Sequence, residues 1–285
     1  MKKTKLIKYP LVLIIFIILG FAGYEYFTFE GNISQPLNIT IIDVGQGDAI
    51  LVQSDNKNML IDAGPNSSSL NLVNSLTKMN INRFDVVVAT HPHEDHIGGL
   101  DSVINKFDID QVIMPQVSAN TQTFNDVLQA IHNKGLMVTA PVPENNFKLG
   151  STLCAILAPN SSSYEDINSY SIVMRVVYGN ITFLFMGDAG LDSETDILSK
   201  GYSLNSDVIK IGHHGSSSST SDKLLKAVNP RYAVISSGQD NDYGHPHKET
   251  ISKLNSAGVI IYRTDLNGDV TFSSNGTNLV VKTER

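Results

Sequence analysis

The sequence predicts an α/β protein with sheets at its centre and helices outside, and three observations carry that expectation. Short runs rich in Val, Ile, Leu and Phe recur along the chain, segments with helical spacing separate them in both halves, and FDVVVAT is apolar without alternation, as a strand covered on both faces is. With 285 residues, 41% of them hydrophobic and 17% charged, the chain can bury a substantial core, and disorder is excluded.

The first element is different in kind. MKKTKLIKYPLVLIIFIILGFAGYEYF places Lys2, Lys3, Lys5 and Lys8 ahead of a run that is uncharged from Tyr9 to Tyr24, which is the pattern of export or anchoring. The run is shorter than the roughly 20 residues of a full span, but Tyr24, Tyr26 and Phe27 extend it at the interface. It has no good small-x-small cleavage site and no lipobox cysteine. The expectation is a signal anchor over residues 1–31, single-pass in the cell membrane with the lysines inside and the body outside; secretion after cleavage is the alternative. Residues 32–37 form a linker, and 38–285 the remaining domain.

In that domain LNITIIDV, AILVQS and NMLIDAG are expected strands, with the GQG turn between the first two. SLNLVNSLTKMN has helical spacing, and FDVVVAT follows as a buried strand. Further strands are expected at QVIMP, LCAILAP, SIVMRVVYG, ITFLFMG, SDVIKIG, RYAVISS, GVIIYRT and DVTFSS, and helices at 122–134, 191–200, 220–228 and 248–257.

Composition limits the chemistry. A net charge of −7 argues against an unaided electrostatic grip on long nucleic acid, though a cation-filled site could still bind phosphate. The lone Cys154 excludes an intrachain disulfide and a four-cysteine zinc site, so any metal must be held by His and carboxylates. Such side chains crowd into THPHEDH, where five of the six positions from His91 to His96 are ligand types, directly behind a buried strand. Imidazole and carboxylate together suit zinc, manganese or iron, and such clusters can hold two ions. Pro92 stiffens the turn, and Gly98 and Gly99 are expected to leave room for backbone near an ion.

THPHEDH resembles the H-x-H-x-D-H signature of the metallo-β-lactamase fold, an αββα sandwich binding one or two divalent metals at one edge. ITFLFMGDAG and VIKIGHHGS resemble two further strands of that fold that end in metal ligands. In order, DVGQGDAILV, LIDAG, THPHEDHIGGL, NSYSIVMRV, FLFMGDA, IGHHGSSSST, VISSG and YGHPH also resemble the extracellular domain of ComEC-type DNA-uptake proteins and their stand-alone relatives, over about residues 38–275.

The resemblance implies that His91 and His93 hold a first metal, Asp95 and His96 a second, and that Asp188 bridges them. His213 is the expected last ligand, with His214 facing the substrate or exchanging roles with it. Asp62 is implied as a carboxylate that orients a ligand histidine. The fold's usual third histidine for the first metal is missing: Asn168 or Ser171 stands in its place, which implies a weaker first site, and His132 falls in a helical pattern too early in the chain. Ser216, Ser217 and Thr220 precede a helix and either cap it or seat a phosphate. Asp48 either faces the substrate or caps a turn, and His245 either donates a proton to a leaving oxygen or contacts phosphate.

These features imply a metal-dependent hydrolase in which Asp95, His214 and His245 take catalytic parts beside a zinc- or manganese-activated water. The resemblance favours a phosphodiester in DNA or a nucleotide as substrate, and contact with DNA-uptake machinery. A lactamase or lactonase of the same fold is the alternative enzyme. A non-catalytic surface protein that binds nucleic acid or metal is the alternative of another class; the complete set Asp95, His96, Asp188 and His213 speaks against it.

Overall fold

The apolar and alternating runs pair into two large sheets in the computed structural model, which describes residues 36–285. The expected signal anchor (1–31) and most of the linker (32–37) lie outside the described residues. Among the described residues, no helix is long and apolar enough to cross a membrane.

Strands β1 (Leu37–Ile41), β2 (Ile50–Ser54) and β3 (Lys57–Ile61) form an antiparallel meander in which Ile39 faces Val52 and Leu51 faces Leu60. Helix α1 (Ser69–Lys78) leads to β4 (Arg83–Phe84) and to β5 (Val86–Val88), which runs parallel to β3. After α2 (Glu94–Ile97) and α3 (Leu100–Lys106), β6 (Asp108–Ile109) pairs with β4. Strand β7 (Val112–Ile113), helix α4 (Gln122–Asn133) and β8 (Val138–Thr139) then complete the parallel end of the first sheet.

The second sheet starts with the antiparallel strands β9 (Asn146–Leu149), β10 (Thr152–Ala158), β11 (Val173–Tyr178) and β12 (Ile181–Phe185). It continues in parallel through β13 (Val208–Lys210), β14 (Tyr232–Ile235) and β15 (Ile260–Arg263), reached by way of α5 (Leu191–Ser199), α6 (Asp222–Val228) and α7 (Lys248–Ser256). A short α8 (Thr264–Asn267) returns the chain to the first sheet, where β16 (Val270–Ser274) pairs with β1 and β17 (Leu279–Thr283) forms the edge.

Three buried apolar layers follow from this order. Ile39, Val52, Val88, Met174, Phe183 and Phe272 pack between the sheets; Leu60, Leu76, Val87, Leu100 and Ile131 pack under the helices of the first; Leu184, Ile197, Ile209, Leu224 and Leu254 pack under those of the second. Both faces of each sheet are therefore covered, which is the αββα arrangement, and the apolar runs record it.

Apart from other elements of two to four residues, strand β17, helix α3 and the four-residue edge strand β9 have no counterpart in the expected elements. Both strands lie at sheet edges and are largely exposed, so backbone pairing holds them and little apolar pattern marks them. Helix α3 buries Leu100, Val103 and Ile104 within seven residues, too few to display a period.

Candidate functional site

The ends of β3, β5, β12, β13 and β14 meet at one edge, where open sheets present side chains from several strands to one cleft. Asp62 leaves β3 in the left-handed region (φ 58°) and turns its carboxylate towards the β5 loop. There it accepts the Thr90 backbone N–H (2.8 Å) and hydroxyl (2.7 Å), and its Oδ2 lies 2.7 Å from His96 Nδ1. Burial raises the Asp62 pKa despite the opposing pull of His96. Because a carboxylate only accepts here, the proton of His96 sits on Nδ1 and its Nε2 faces the cleft.

His214 is set in the same way from the other side. Its Nδ1 lies 3.1 Å from the Ser236 carbonyl, which leaves Nε2 aimed at His96 Nε2, 3.2 Å away. Asp95 Oδ2 lies 3.1 Å and Asp188 Oδ2 3.5 Å from His214 Nε2, and Asp188 Oδ1 lies 3.2 Å from His96 Nε2. Asp95, His96, Asp188 and His214 thus bring four ligand atoms within 4.8 Å of one another. Four converging acceptors with their donor nitrogens turned outward repel one another unless something positive joins them, so this donor set fits a divalent cation.

A second group surrounds the other side of Asp188. His91 Nε2 and His93 Nδ1 are 3.0 Å apart, and His91 Nε2 and His213 Nε2 lie 3.9 and 3.8 Å from Asp188 Oδ2. Asp188 is therefore the one carboxylate flanked by both groups, and it is buried.

The same carboxylates make the ligand histidines more basic than ordinary ones. Burial opposes charge on His214, but Asp188 beside it, helped by Asp95, outweighs burial and holds its pKa at about 9. His96 is raised well above its ordinary value in the same way, and Asp188 is held well below the usual carboxylate range by His214 and His96 despite its burial. A cation on His214 Nε2 must displace that proton. Divalent-metal affinity is accordingly expected to climb with pH, by about tenfold per unit for each proton displaced, through the range that ends at about 9 for His214. Calorimetric titration across that range checks it; a pH-independent affinity would contradict it.

The structure moves several assignments. His213 and His214 are consecutive left-handed residues (φ 47° and 51°) in the turn after β13, and this turn breaks the alternation that the sequence reading continued from the strand. His214 is consequently buried in the cluster, whereas His213 is one-quarter exposed at its rim. Ser171 Oγ lies 3.3 Å from His91 Nδ1 and accepts the Asp188 N–H (3.0 Å), so it braces His91 from the side facing away from Asp188. Asn168 is buried and is not among the residues lining the cleft. His132 is exposed on α4.

Asp48 is not among the residues lining the cleft. It is buried with its Oδ1 2.9 Å from Lys210 Nζ and 3.6 Å from His214 Nδ1, so the loop after β1 is ion-paired to the end of β13 behind the cluster. Lys210, which the sequence reading passed over as part of an apolar strand, supplies the ammonium there. Its only sequence signal is a cation in a buried run, VIKIG. Gly47 lets this loop close on the metal loop: a Cβ there would stand 2.1 Å from the Asp95 carbonyl. Gly98 and Gly99 make room for the chain at residues 63–66 rather than for an ion.

The expected phosphate seat at the start of α6 is already occupied by a carboxylate. Glu194 accepts the backbone N–H groups of Thr220 and Ser221, and the Ser221 hydroxyl caps the helix through Leu224 N–H (3.1 Å). Thr220 is buried, Ser217 donates its N–H to His247 Nδ1 (3.0 Å), and Ser216 pairs with Ser218 (2.9 Å); none of the three lines the cleft.

The cleft has a volume of about 500 Å³. Among the described residues its walls carry His93, Glu94, Asp95, Asp188, His213, His214, Tyr243 and His245 together with Val44 and Pro65, and no Lys or Arg. Burial, then the neighbouring His214, pushes the His245 pKa down to about 4. The ring is neutral near pH 7, so it offers a single N–H rather than an acidic imidazolium, which revises the proton-donor reading.

The sequence model of the metallo-beta-lactamase superfamily matches residues 42–239, the span that contains both groups of candidate metal-holding residues. The chain belongs to this superfamily. Within it, ComE operon protein 3 of Bacillus subtilis is 26% identical over 258 residues, which cover 84% of this chain and 33% of that protein. Competence protein ComA of Neisseria gonorrhoeae is 30% identical over 269 residues, 90% of this chain and 35% of that protein. Exodeoxyribonuclease YycJ of Bacillus anthracis is 31% identical over 98 residues, 34% of this chain and 35% of that protein. The chain spans about a third of the length of the competence relatives it matches. Those relatives agree with the ComEC-type motif order in the sequence.

Proposed function

We propose that this superfamily member is a metal-dependent phosphodiesterase acting on DNA or nucleotides. The observation that carries the reading is the set Asp95, His96, Asp188 and His214, three of them buried, opening on a cleft that has no lysine or arginine among the described residues. A phosphodiester anion could be neutralised there only by bound metal and by histidine N–H groups. A divalent ion, when bound, lowers the pKa of water and polarises a phosphoryl oxygen. The chain's own residues do the rest. Asp62 and the Ser236 carbonyl fix the two ligand rings. Asp95, partly exposed to the cleft, can accept a hydrogen bond from an attacking water and orient it. His245 can donate its neutral N–H to a phosphoryl or leaving oxygen. The competence relatives and the partial likeness to an exodeoxyribonuclease support DNA as the substrate.

The test is substrate choice. The full chain, stripped of metal and refilled with manganese or zinc separately, is expected to hydrolyse bis-p-nitrophenyl phosphate and DNA and to leave a β-lactam intact. Opening of the lactam with every phosphodiester untouched would transfer the site to the lactamase reading.

The placement of this domain outside the cell, on an uncleaved anchor and near DNA-uptake machinery, is part of the same proposal and rests on the four lysines and apolar run of residues 1–31. Protease added to intact cells is expected to degrade the domain, and the protein to sediment with membranes. Recovery of the intact protein in the cytosolic fraction alone would overturn it.

A further inference from the structure

Tyr243 is the one Phe or Tyr side chain among the described residues that stands exposed, at 67%. A single exposed ring is ordinary on a protein surface; the location of this one is not. It lines the mouth of the metal cleft and stacks on His245, ring centroids 5.7 Å apart and planes 19° apart. His245 in turn lies nearly parallel to His214, at 6.2 Å and 28°. Three near-parallel rings therefore step outward from the cluster to solvent, and Tyr243 is the last. Its hydroxyl has no hydrogen-bond partner among the described residues, so the ring is not there to anchor a loop.

The loop instead is anchored from behind. The Asn241 side chain donates to the carbonyls of Gly238 (2.9 Å) and His245 (2.6 Å) and accepts the His245 N–H (3.0 Å), while Gly238 N–H reaches across to the Gln46 side chain (3.1 Å). Four bonds fix the turn on which Tyr243 is carried, so the ring is presented in place before any ligand arrives. The catalytic groups do not require an aromatic face at that point.

We propose that Tyr243 is a stacking platform for a nucleobase adjacent to the bond being cut, and that the site accepts unpaired, single-stranded nucleic acid. The proposal rests on the phosphodiesterase reading above and names the substrate form that reading left open. Every base has a π-face, so stacking on tyrosine tolerates sequence while demanding that one face of the base be free. Inside a duplex both faces are covered. The acidic net charge of −7 agrees with this form, because it opposes a grip on a duplex through its phosphates alone.

The test is an abasic scan with the full-length, manganese-loaded protein. A single-stranded oligonucleotide and a series lacking one base at each position are cut by wild type, Tyr243→Ala and Tyr243→Trp. In the wild type, one abasic position next to the cut is expected to raise KM by about 5- to 150-fold, the range of a lost base–aromatic stack. Tyr243→Ala should show the elevated KM on the intact strand and no further loss at that position, with kcat and metal content little changed; Tyr243→Trp should restore the wild-type pattern. Wild-type preference for single over double strands should shrink in the alanine variant. If removal of that base costs Tyr243→Ala as much as it costs the wild type, or if tryptophan fails to rescue, the platform is disproved while phosphodiester cleavage stands. A wild-type protein that cuts no phosphodiester would instead remove the reading on which the platform rests.

Discussion

Asp188→Ala is expected to strip metal from both positions and to eliminate hydrolysis. Asp188 Oδ1 lies 3.2 Å from His96 Nε2, and its Oδ2 lies 3.5, 3.8 and 3.9 Å from the Nε2 atoms of His214, His213 and His91. It is the only anion shared by the two groups, and no other described carboxylate approaches His91 or His213 within 4 Å. The loss in turnover should exceed the ~10²–10⁴-fold that follows removal of a general acid, because the site then lacks the cation as well. Asp188→Asn preserves shape and separates this effect from misfolding: it should melt as wild type does while its metal content falls. Elemental analysis that found both variants fully loaded would refute the bridging position.

His245→Ala should reduce phosphodiester turnover by about 10²–10³-fold, the cost of losing one preorganised donor at developing negative charge. Metal content should be unchanged, since His245 is outside both ligand groups. The structure also sets the sign of two further observations. A ring whose pKa lies at about 4 is neutral throughout the neutral range, so the wild-type rate should not fall between mildly acidic and mildly alkaline pH on account of His245. A neutral donor also loses the same contact whatever the leaving group, so the deficit should be similar for DNA and for a p-nitrophenyl ester. A deficit that vanished for the activated ester would restore the role of proton donor to the leaving oxygen. Wild-type rates on DNA would remove His245 from the site.

The sequence by itself determined the layered α/β architecture and the residues among which a metal site would be found. Short β-branched apolar runs such as VVV at 86–88 are the pattern of strands buried on both faces, and His91, His93, Asp95 and His96 lie within the six positions 91–96 behind one of them, so local spacing already fixed their proximity. Asp188 and the two histidines after VIKIG stand at the ends of such runs for the same reason. Which of those histidines turns inward was decided by the tertiary structure: two consecutive left-handed residues rotate the chain after β13, a conformation that hydrophobic periodicity does not encode. The same holds for Asp48 and Lys210, which lie 162 positions apart in sequence and form one buried pair, and for Glu194, which fills the helix start that the serines seemed to offer to phosphate. Edge strands β9 and β17 were likewise settled by pairing with neighbours rather than by their own pattern. Local chemistry and periodicity are properties of neighbouring residues, whereas the direction of a side chain after a turn and the partner of a buried charge depend on segments that only the packed sheets bring together.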